Sequence, residues 1–539
     1  MHSLQRCILH IEQINQMEYN LVMYSATPFA AAAIVGILIL LICRRSPNKN
    51  LPPAVPFALP IIGHMHLVLA SGPLHHTLAK FCAKYGPVLS LRLGIRRVLV
   101  VSSLSAAEEC LTKNDIVFAN RPTNVFSGKH LSYDYTTLIS APYGPLWRDL
   151  RRFSTAELFS TARTSALSYI REVEMEAMVA GLLNSSAPVD GDGYRRVNLM
   201  MLLREVVSNM FTQMLVGKRY FGDSKTVKAE EGNKFDALMA EGIELAESLS
   251  LRDWLPAVKW LGINKFKKRI EWVDKEFDIV LQEVLDECRK QHLDKSNQDK
   301  EEKRKTLLDV MILLQQKDPK FYTDTIIKGT MLIFIIGGTD PPASMMEWQL
   351  SLLLNHPEVL QKVRDEIDTH VGHDRLITDS DVPKLQYLTN VIKESLRLYP
   401  SGPLLVAHES SADCTVAGYD VPRGTMLLVH AHALQRNPSL WEDPDSFKLE
   451  RWFEIDQEAK SLKFLPFGYG RRMCPAEFMS MRLMVLVVGS LVQCFEFKRT
   501  SEVVDMTEAD SMNLKRAVTL EAYYKPRHVM MPTLSQFFK

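Results

Sequence analysis

Residues 464–480 read FLPFGYGRRMCPAEFMS, and Cys474 is the residue there whose surroundings suit chemistry. Gly468 and Gly470 permit a tight turn in which peptide N–H groups converge on the sulfur, and Arg472 adds a fixed positive charge. Such surroundings lower a thiol pKa, and the thiolate is a metal ligand. The GYG fragment lacks the strand, lysine and spacing of a phosphate loop. A solitary cysteine is more often a small buried hydrophobe, so Cys474 needs corroboration from elsewhere in the chain.

A second stretch, FIIGGTDPPASMMEW at 334–348, carries a carboxylate, Asp340, in an apolar run that reads as a buried helix until Pro341 and Pro342 interrupt it. A proline inside a helix has no N–H to give the carbonyl four residues back, and costs ~3 kcal/mol in a regular helix. Some gain must hold the pair there.

The elements that must position these residues are mostly helical. HPEVLQKVRDEIDTHV after Asn355 and KLQYLTNVIKESLRLYP at 384–400 carry helical periodicity. A long helix is expected over about 323–354, ended by the His356-Pro357 step. Strand patterns are few: VLSLRLG with RRVLVVS behind it, TVAGYDVP, and TMLLVHA at 425–431. The expected class is mostly α with a small β region. The charged run 291–305, QHLDKSNQDKEEKRK, reads as a solvated loop between helices.

Composition sets the outer limits. The 539 residues are 46% hydrophobic and 24% charged with a net charge of +1, which supports a sizeable core and gives no sign of nucleic-acid binding. The eight cysteines show no CxxC pairing and are too sparse for a disulfide framework, so a reducing compartment is expected for the bulk of the chain. No zinc-type spacing occurs, and His64, His66, His75 and His76 read as surface or structural residues without a companion cluster.

The N-terminus has a different character. Residues 21–43, LVMYSATPFAAAAIVGILILLIC, carry no charge over a length that crosses a ~30 Å hydrocarbon layer. Arg44, Arg45 and Lys49 follow, which by the positive-inside rule keeps the C-terminal side cytosolic. A cleaved signal peptide would have a shorter apolar run and a small-x-small site. The expected order is therefore a short extension at 1–20, a transmembrane anchor at 21–43, a basic and proline-rich hinge at 44–64, and a catalytic domain at 65–539. Met17 and Met23 are alternative starts for translation.

The Cys474 segment resembles the haem-binding signature F-x-x-G-x-R-x-C of the cytochromes P-450, through Phe467, Gly470, Arg472 and Cys474. Other motifs agree, in order. Trp147-x-x-x-Arg151 resembles the helix that holds a haem propionate; Glu394-x-x-Arg397 with Arg451 resembles the family's buried Glu-Arg-Arg triad; His408 matches another propionate donor; and the prolines at 51–63 match the hinge of microsomal members. The resemblance covers nearly all of the chain after Leu21. It implies the cytochrome P-450 fold, a single haem-thiolate domain behind its anchor, with haem b on Cys474 as axial iron ligand. It further implies propionate contacts from Arg121, Trp147, Arg151, His408 and Arg472, and electrons from NADPH through a flavin-containing cytochrome P-450 reductase. The implied setting is the endoplasmic reticulum membrane, with the catalytic domain facing the cytosol.

In the same family the long helix crosses the haem with (Ala/Gly)-Gly-x-(Asp/Glu)-Thr-(Thr/Ser). Gly337, Gly338, Thr339 and Asp340 fit, but Pro341 stands at the threonine. The threonine hydroxyl, with the adjacent acid, helps deliver protons to bound dioxygen. That hydroxyl is lost here. Thr339 lies about 200° around the helix and Ser344 roughly 4.5 Å further along, so neither is expected to replace it. Water or a phenolic substrate's own hydroxyl is the expected substitute, oriented by Asp340 and the Gly337 carbonyl.

The sequence is similar to a plant microsomal group containing isoflavone hydroxylases, lignan methylenedioxy-bridge synthases and xanthone-forming enzymes, through YGPLWRDLRR, GTD…SMMEW and LLVAHESS. The closest likeness is to trihydroxyxanthone synthases, implying hydroxylation of a trihydroxybenzophenone followed by intramolecular C–O phenol coupling. Plain aromatic hydroxylation of a flavonoid or isoflavonoid, and reductase-independent peroxide isomerisation, are the alternatives. Substrate contacts are expected from Ser401, Leu404 and Ala509, and from the segments 123–137, 235–254 and 334–341. Ala476 and Ala407 replace a glycine and a proline common at their positions.

Overall fold

Thr323 starts the central helix, its hydroxyl accepting from the Ile326 N–H, with Asp324 in the first turn complementing the helix dipole. The helix runs Asp324–Asn355 and closes at His356, one residue from the expected end. It is buried along most of its length, so it reads as apolar all round. The computed structural model describes residues 50–69, 72–123, 126–221, 229–247, 264–295, 306–454 and 462–538. The expected anchor, the start of the hinge, and much of the 235–254 and 291–305 segments lie outside them.

Close approach explains one glycine of the central helix. The helix Leu199–Val216 crosses at Gly338, where an added Cβ would come 2.4 Å from the Phe211 ring. That crossing helix is capped at its start by the Asn198 side chain and stopped by Gly217 in the left-handed region. Behind the central helix pack Gln386–Leu398 and Glu477–Cys494. Leu199–Val216 and Glu477–Cys494 are long and apolar enough to cross a membrane, yet their apolar windows are 67% and 72% buried inside the protein, as core helices are.

The β content is small, as expected. A four-stranded sheet runs Val88–Leu93, Arg96–Val101, Met426–Val429, His408–Glu409, with a parallel pair in the middle and antiparallel pairs outside. Ala417 and Gly418, both with positive φ, turn the hairpin between Cys414–Val416 and Tyr419–Val421. A third sheet joins Arg195–Asn198, Glu521–Pro526 and Phe495–Arg499.

Candidate functional site

The Cys474 loop folds on itself. Gly468 and Gly470 take φ of 73° and 71°, Met473 N–H donates to Gly470 O at 3.1 Å, and Cys474 N–H to Phe467 O at 2.8 Å. A Cβ on Gly470 would lie 2.7 Å from Leu111 O and from the Asp115 carboxylate, so only glycine brings the loop this close. One expectation needs correction. Burial pushes the Cys474 thiol pKa up, against the lowering by the Ala476 N–H and the Arg151 charge. The loop alone does not make a thiolate; a metal ion does, because ligation displaces the proton.

Around the loop stand cations without counter-charges. Arg472 donates to Ala119 O at 2.6 Å, Ala141 O at 2.5 Å and Leu138 O at 3.3 Å. Arg121 donates to Ile139, Val406 and Ala407 carbonyls, and Arg151 to Met473 O at 2.6 Å. No described carboxylate pairs with Arg121, Arg151 or Arg472. Burial first, then Arg472, lowers the Arg121 pKa to about 9; burial and Arg151 lower Arg472 to about 10. Burying guanidiniums with only neutral carbonyls is costly. The cluster lacks negative charge, and two carboxylates such as the propionates of haem would restore it; in this respect the residues present fit the group.

Trp147 and His408 belong to the cluster in ways that their spacing does not reveal. The Trp147 indole N–H donates to Leu138 O at 3.2 Å, and its ring serves as the platform under Arg472, 4.6 Å away. His408 Nδ1 donates to Phe118 O at 2.7 Å, which leaves the neutral ring's Nε2 without a proton. Burial and the Arg121 charge lower its pKa to about 3. It donates to a propionate only as the imidazolium, a form that an adjacent carboxylate favours.

The Glu-Arg-Arg set comes together. Glu394 and Arg397 are fully buried, one turn apart on Gln386–Leu398, with paired bonds of 2.9 and 2.7 Å. Arg451 adds a bond of 3.2 Å to Glu394, and the Trp452 indole N–H one of 2.9 Å. Sequence reasoning missed Gln435. Its amide donates to Leu396 O and Arg397 O at the end of that helix, and its Oε1 accepts from Leu465 N–H at 2.7 Å. Gln435 thereby ties the triad to the Cys474 loop.

On the central helix, Ile333, Gly337 and Pro341 recur at intervals of four and form its least buried stripe, with open space over Gly337. Pro341 is thus partly open on this stripe and carries no hydroxyl there. Thr339 is buried off that stripe, its hydroxyl without a partner among the described residues. Ser344 is 3.4 Å from Leu514 O, which it can reach as a donor. Asp340 is not a free acid: its buried carboxylate holds Lys515 Nζ at 2.8 Å and Arg204 at 3.3 Å. Both partners were missed because they lie 136 and 175 residues away in the chain.

The expected substrate residues separate. Ser401 and Ala509 are half-buried on neighbouring loops, joined where Leu514 N–H donates to Ser401 O at 2.9 Å. Leu404 is buried in a minor core with Met65, Leu91 and Met426, so it packs the sheet and does not border open space. Val406, 49% exposed, is the better candidate two residues on.

The cytochrome P450 family model matches residues 52–521. The chain is 42% identical to cytochrome P450 81Q32 of Catharanthus roseus over 96% of this chain and all of that protein. It is 42% identical to the (+)-piperitol/(+)-sesamin synthase CYP81Q2 of Sesamum radiatum, over 92% of this chain and 94% of that one. An isoflavone 2'-hydroxylase of Medicago truncatula is 39% identical over 94% and 97%. With a cysteine loop, a carboxylate-hungry cation cluster and a buried Glu-Arg-Arg set in one fold, and likeness of that extent, the chain belongs to the cytochrome P450 family, among its plant 81 members.

Proposed function

We propose that the chain hydroxylates a trihydroxybenzophenone and then couples a phenolic oxygen of one ring onto the other to give a trihydroxyxanthone. As a cytochrome P450 it uses haem b, with electrons from NADPH through a partner reductase. When bound, the haem supplies the thiolate-held iron at which dioxygen is activated. Cys474 would hold its iron; Arg121, Arg151, Arg472 and protonated His408 would hold its propionates, and Trp147 would keep Arg472 in place. Residues 21–43 anchor the chain in the endoplasmic reticulum membrane, and the domain from residue 65 faces the cytosol.

The observation that carries the proposal is the hydroxyl-free stripe of Ile333, Gly337 and Pro341. Pro341 and Pro342 offer no N–H to Gly337 O and Gly338 O, so two carbonyls lack their helical donors. Gly337 is exposed, and a substrate phenol can donate to its carbonyl. A polyphenol then brings the hydroxyl that the helix lacks, held close to the reacting ring. Each half-reaction consumes one dioxygen and one NADPH. Hydroxylation puts one oxygen in the product and one in water; coupling removes two hydrogens from the substrate, and both oxygens leave as water.

Membranes containing the chain and a reductase, given NADPH and trihydroxybenzophenones, should yield xanthone through a hydroxylated intermediate that loses two hydrogens without gaining oxygen. A product that stops at the hydroxylated stage supports instead plain hydroxylation, the reading favoured by likeness to isoflavone 2'-hydroxylases; an isoflavone series run in parallel separates the two. Product formed without NADPH would point to peroxide isomerisation.

Pro341→Thr should retain haem and shift the ratio of hydroxylated to coupled product several-fold, with a change in NADPH consumed per product. No change in either sinks the substrate-hydroxyl idea. Arg472→Leu removes the charge and the cation over Trp147; haem transfer to apomyoglobin should quicken about 10-fold, while Arg148→Leu, an exposed neighbour, should leave it unchanged.

A further inference from the structure

His75 and His76, adjacent on the first turn of the helix Leu74–Tyr85, meet two residues from distant parts of the chain. Glu508 Oε2 lies 2.8 Å from the Nε2 of each. His432, on the short helix Ala431–Leu434, brings its Nε2 to 4.0 Å from the other oxygen, Glu508 Oε1. The three imidazole centroids lie 4.2, 4.9 and 5.5 Å apart, one pair tilted and two edge to face. The sequence showed no companions for the His75-His76 pair; the fold supplies them.

Hydrogen bonding explains only part of this arrangement. His75 and His76 share one carboxylate oxygen, but His432 is 6% exposed and its Nε2 has no hydrogen-bond partner among the described residues. A buried ring nitrogen left this way carries an uncompensated desolvation cost. The neighbouring Arg436 guanidinium is itself bonded to Asp445 at 2.7 Å and Leu398 O at 2.9 Å. Three imidazole nitrogens and a carboxylate are the ligand chemistry of zinc and its neighbours, four ligands making a closed tetrahedral set.

We propose that His75, His76, His432 and Glu508 bind one divalent transition ion of the zinc class. A tetrahedral ion with bonds of about 2.0–2.1 Å sets its ligand atoms about 3.3 Å apart. The His75 and His76 nitrogens need to part from Glu508 Oε2 by about 0.5 Å; these three ligand atoms lie within 4.8 Å of one another, and His432, outside that set and 4.0 Å from the other carboxylate oxygen, has to swing in further as the fourth ligand. In the neutral rings of His75 and His76 the proton moves to Nδ1, freeing Nε2 as the ligand, with no net proton change. His76, whose side chain is 43% exposed, provides the entry path. The helix carrying His75 is fixed from behind, because His430 Nε2 donates to His75 O at 2.8 Å.

The consequence reaches the active site. Glu508 precedes Ala509 on the hairpin 507–517, closed by Ala509 N–H to Lys515 O and Ala517 N–H to Thr507 O, both 2.9 Å. That hairpin also sends Lys515 to Asp340 and Leu514 to Ser401 and Trp348. An ion at Glu508 clamps the hairpin to the helix Leu74–Tyr85 and so fixes the turn beside the substrate space.

The test uses tag-free, haem-loaded enzyme stripped with a chelator and titrated with ZnCl2 against a zinc-binding dye. Elemental analysis after dialysis and absorption-edge spectroscopy complete it. The wild type should hold about one zinc with a nitrogen/oxygen first shell rich in imidazole. His76→Ala and Glu508→Gln should weaken binding about 100-fold or more, with haem content and the carbon monoxide spectrum unchanged as proof of folding. His370→Ala, an exposed histidine elsewhere, should bind as the wild type does. Zinc should slow amide exchange in residues 507–517 of the wild type only. Wild type without retained zinc, or zinc held equally by the His76 and Glu508 variants, overturns the site; unchanged exchange overturns the clamp.

Discussion

Cys474→Ala should fold and lose both the thiolate Soret band of the reduced carbon monoxide complex and all NADPH-dependent product. The side chain is small and half-buried, so its removal leaves a modest cavity. The loop geometry persists, because Gly468, Gly470 and the Cys474 N–H to Phe467 O bond do not involve the sulfur. Only the iron loses its charged ligand. The control lies in the other cysteines. Cys110 and Cys494 are buried, and burial raises both thiols, Cys494 to about 12, so neither ionises near neutrality. Cys110→Ala and Cys494→Ala should keep the band; a band retained by Cys474→Ala would refute the ligand assignment.

Glu394→Gln should be the most destabilising change outside the Cys474 loop. Its carboxylate accepts from Arg397, Arg451, Trp452 and the Lys448 N–H, and among the described residues it is the only acid that pairs with the fully buried Arg397 guanidinium. An amide keeps the shape but leaves Arg397 without a counter-charge, a loss of about 3–5 kcal/mol for a broken buried pair. Arg397 cannot turn to water, since its other donors go to Gln435 O, Pro444 O and Ser446 O. The expected result is a sharp fall in folded holoprotein and in its thermal midpoint. Arg451→Lys should cost about 1 kcal/mol, because that arginine is partly exposed and a lysine keeps the charge. Equal midpoints for Glu394→Gln and wild type would show that the triad does not hold the fold.

Much of this site was legible because its signals are local. A glycine-permitted turn before Cys474, a Trp and an Arg four apart on one helix face, and a Glu and an Arg three apart are short-range geometry that spacing encodes directly. The strands at 88–101 and the hairpin after Cys414 followed from alternation and turn residues in the same way. The sheet built from Arg195–Asn198, Phe495–Arg499 and Glu521–Pro526 did not, because its strands are short, half-polar and joined across more than 300 residues of chain. Leu404 was misplaced for a related reason. Its loop neighbours the substrate space, but with φ of 53° at Leu405 the chain turns, and Leu404 goes into the small core while Val406 stays out.

The sequence by itself determined the family, the cysteine in its loop and the absence of a hydroxyl at Pro341, since each is a matter of residue type at fixed spacing. Only the tertiary structure decided which charges meet. Asp340 was read as an acid free to work, and the fold gives its carboxylate to Lys515 and Arg204. Arg121, Arg151 and Arg472 were expected together as propionate contacts, and the fold places them where no described carboxylate answers them. His75 and His76 were a bare pair, and the fold brings Glu508 and His432 to them from hundreds of residues away. Electrostatic interaction depends on distance through space and on burial, and neither is a function of separation along the chain.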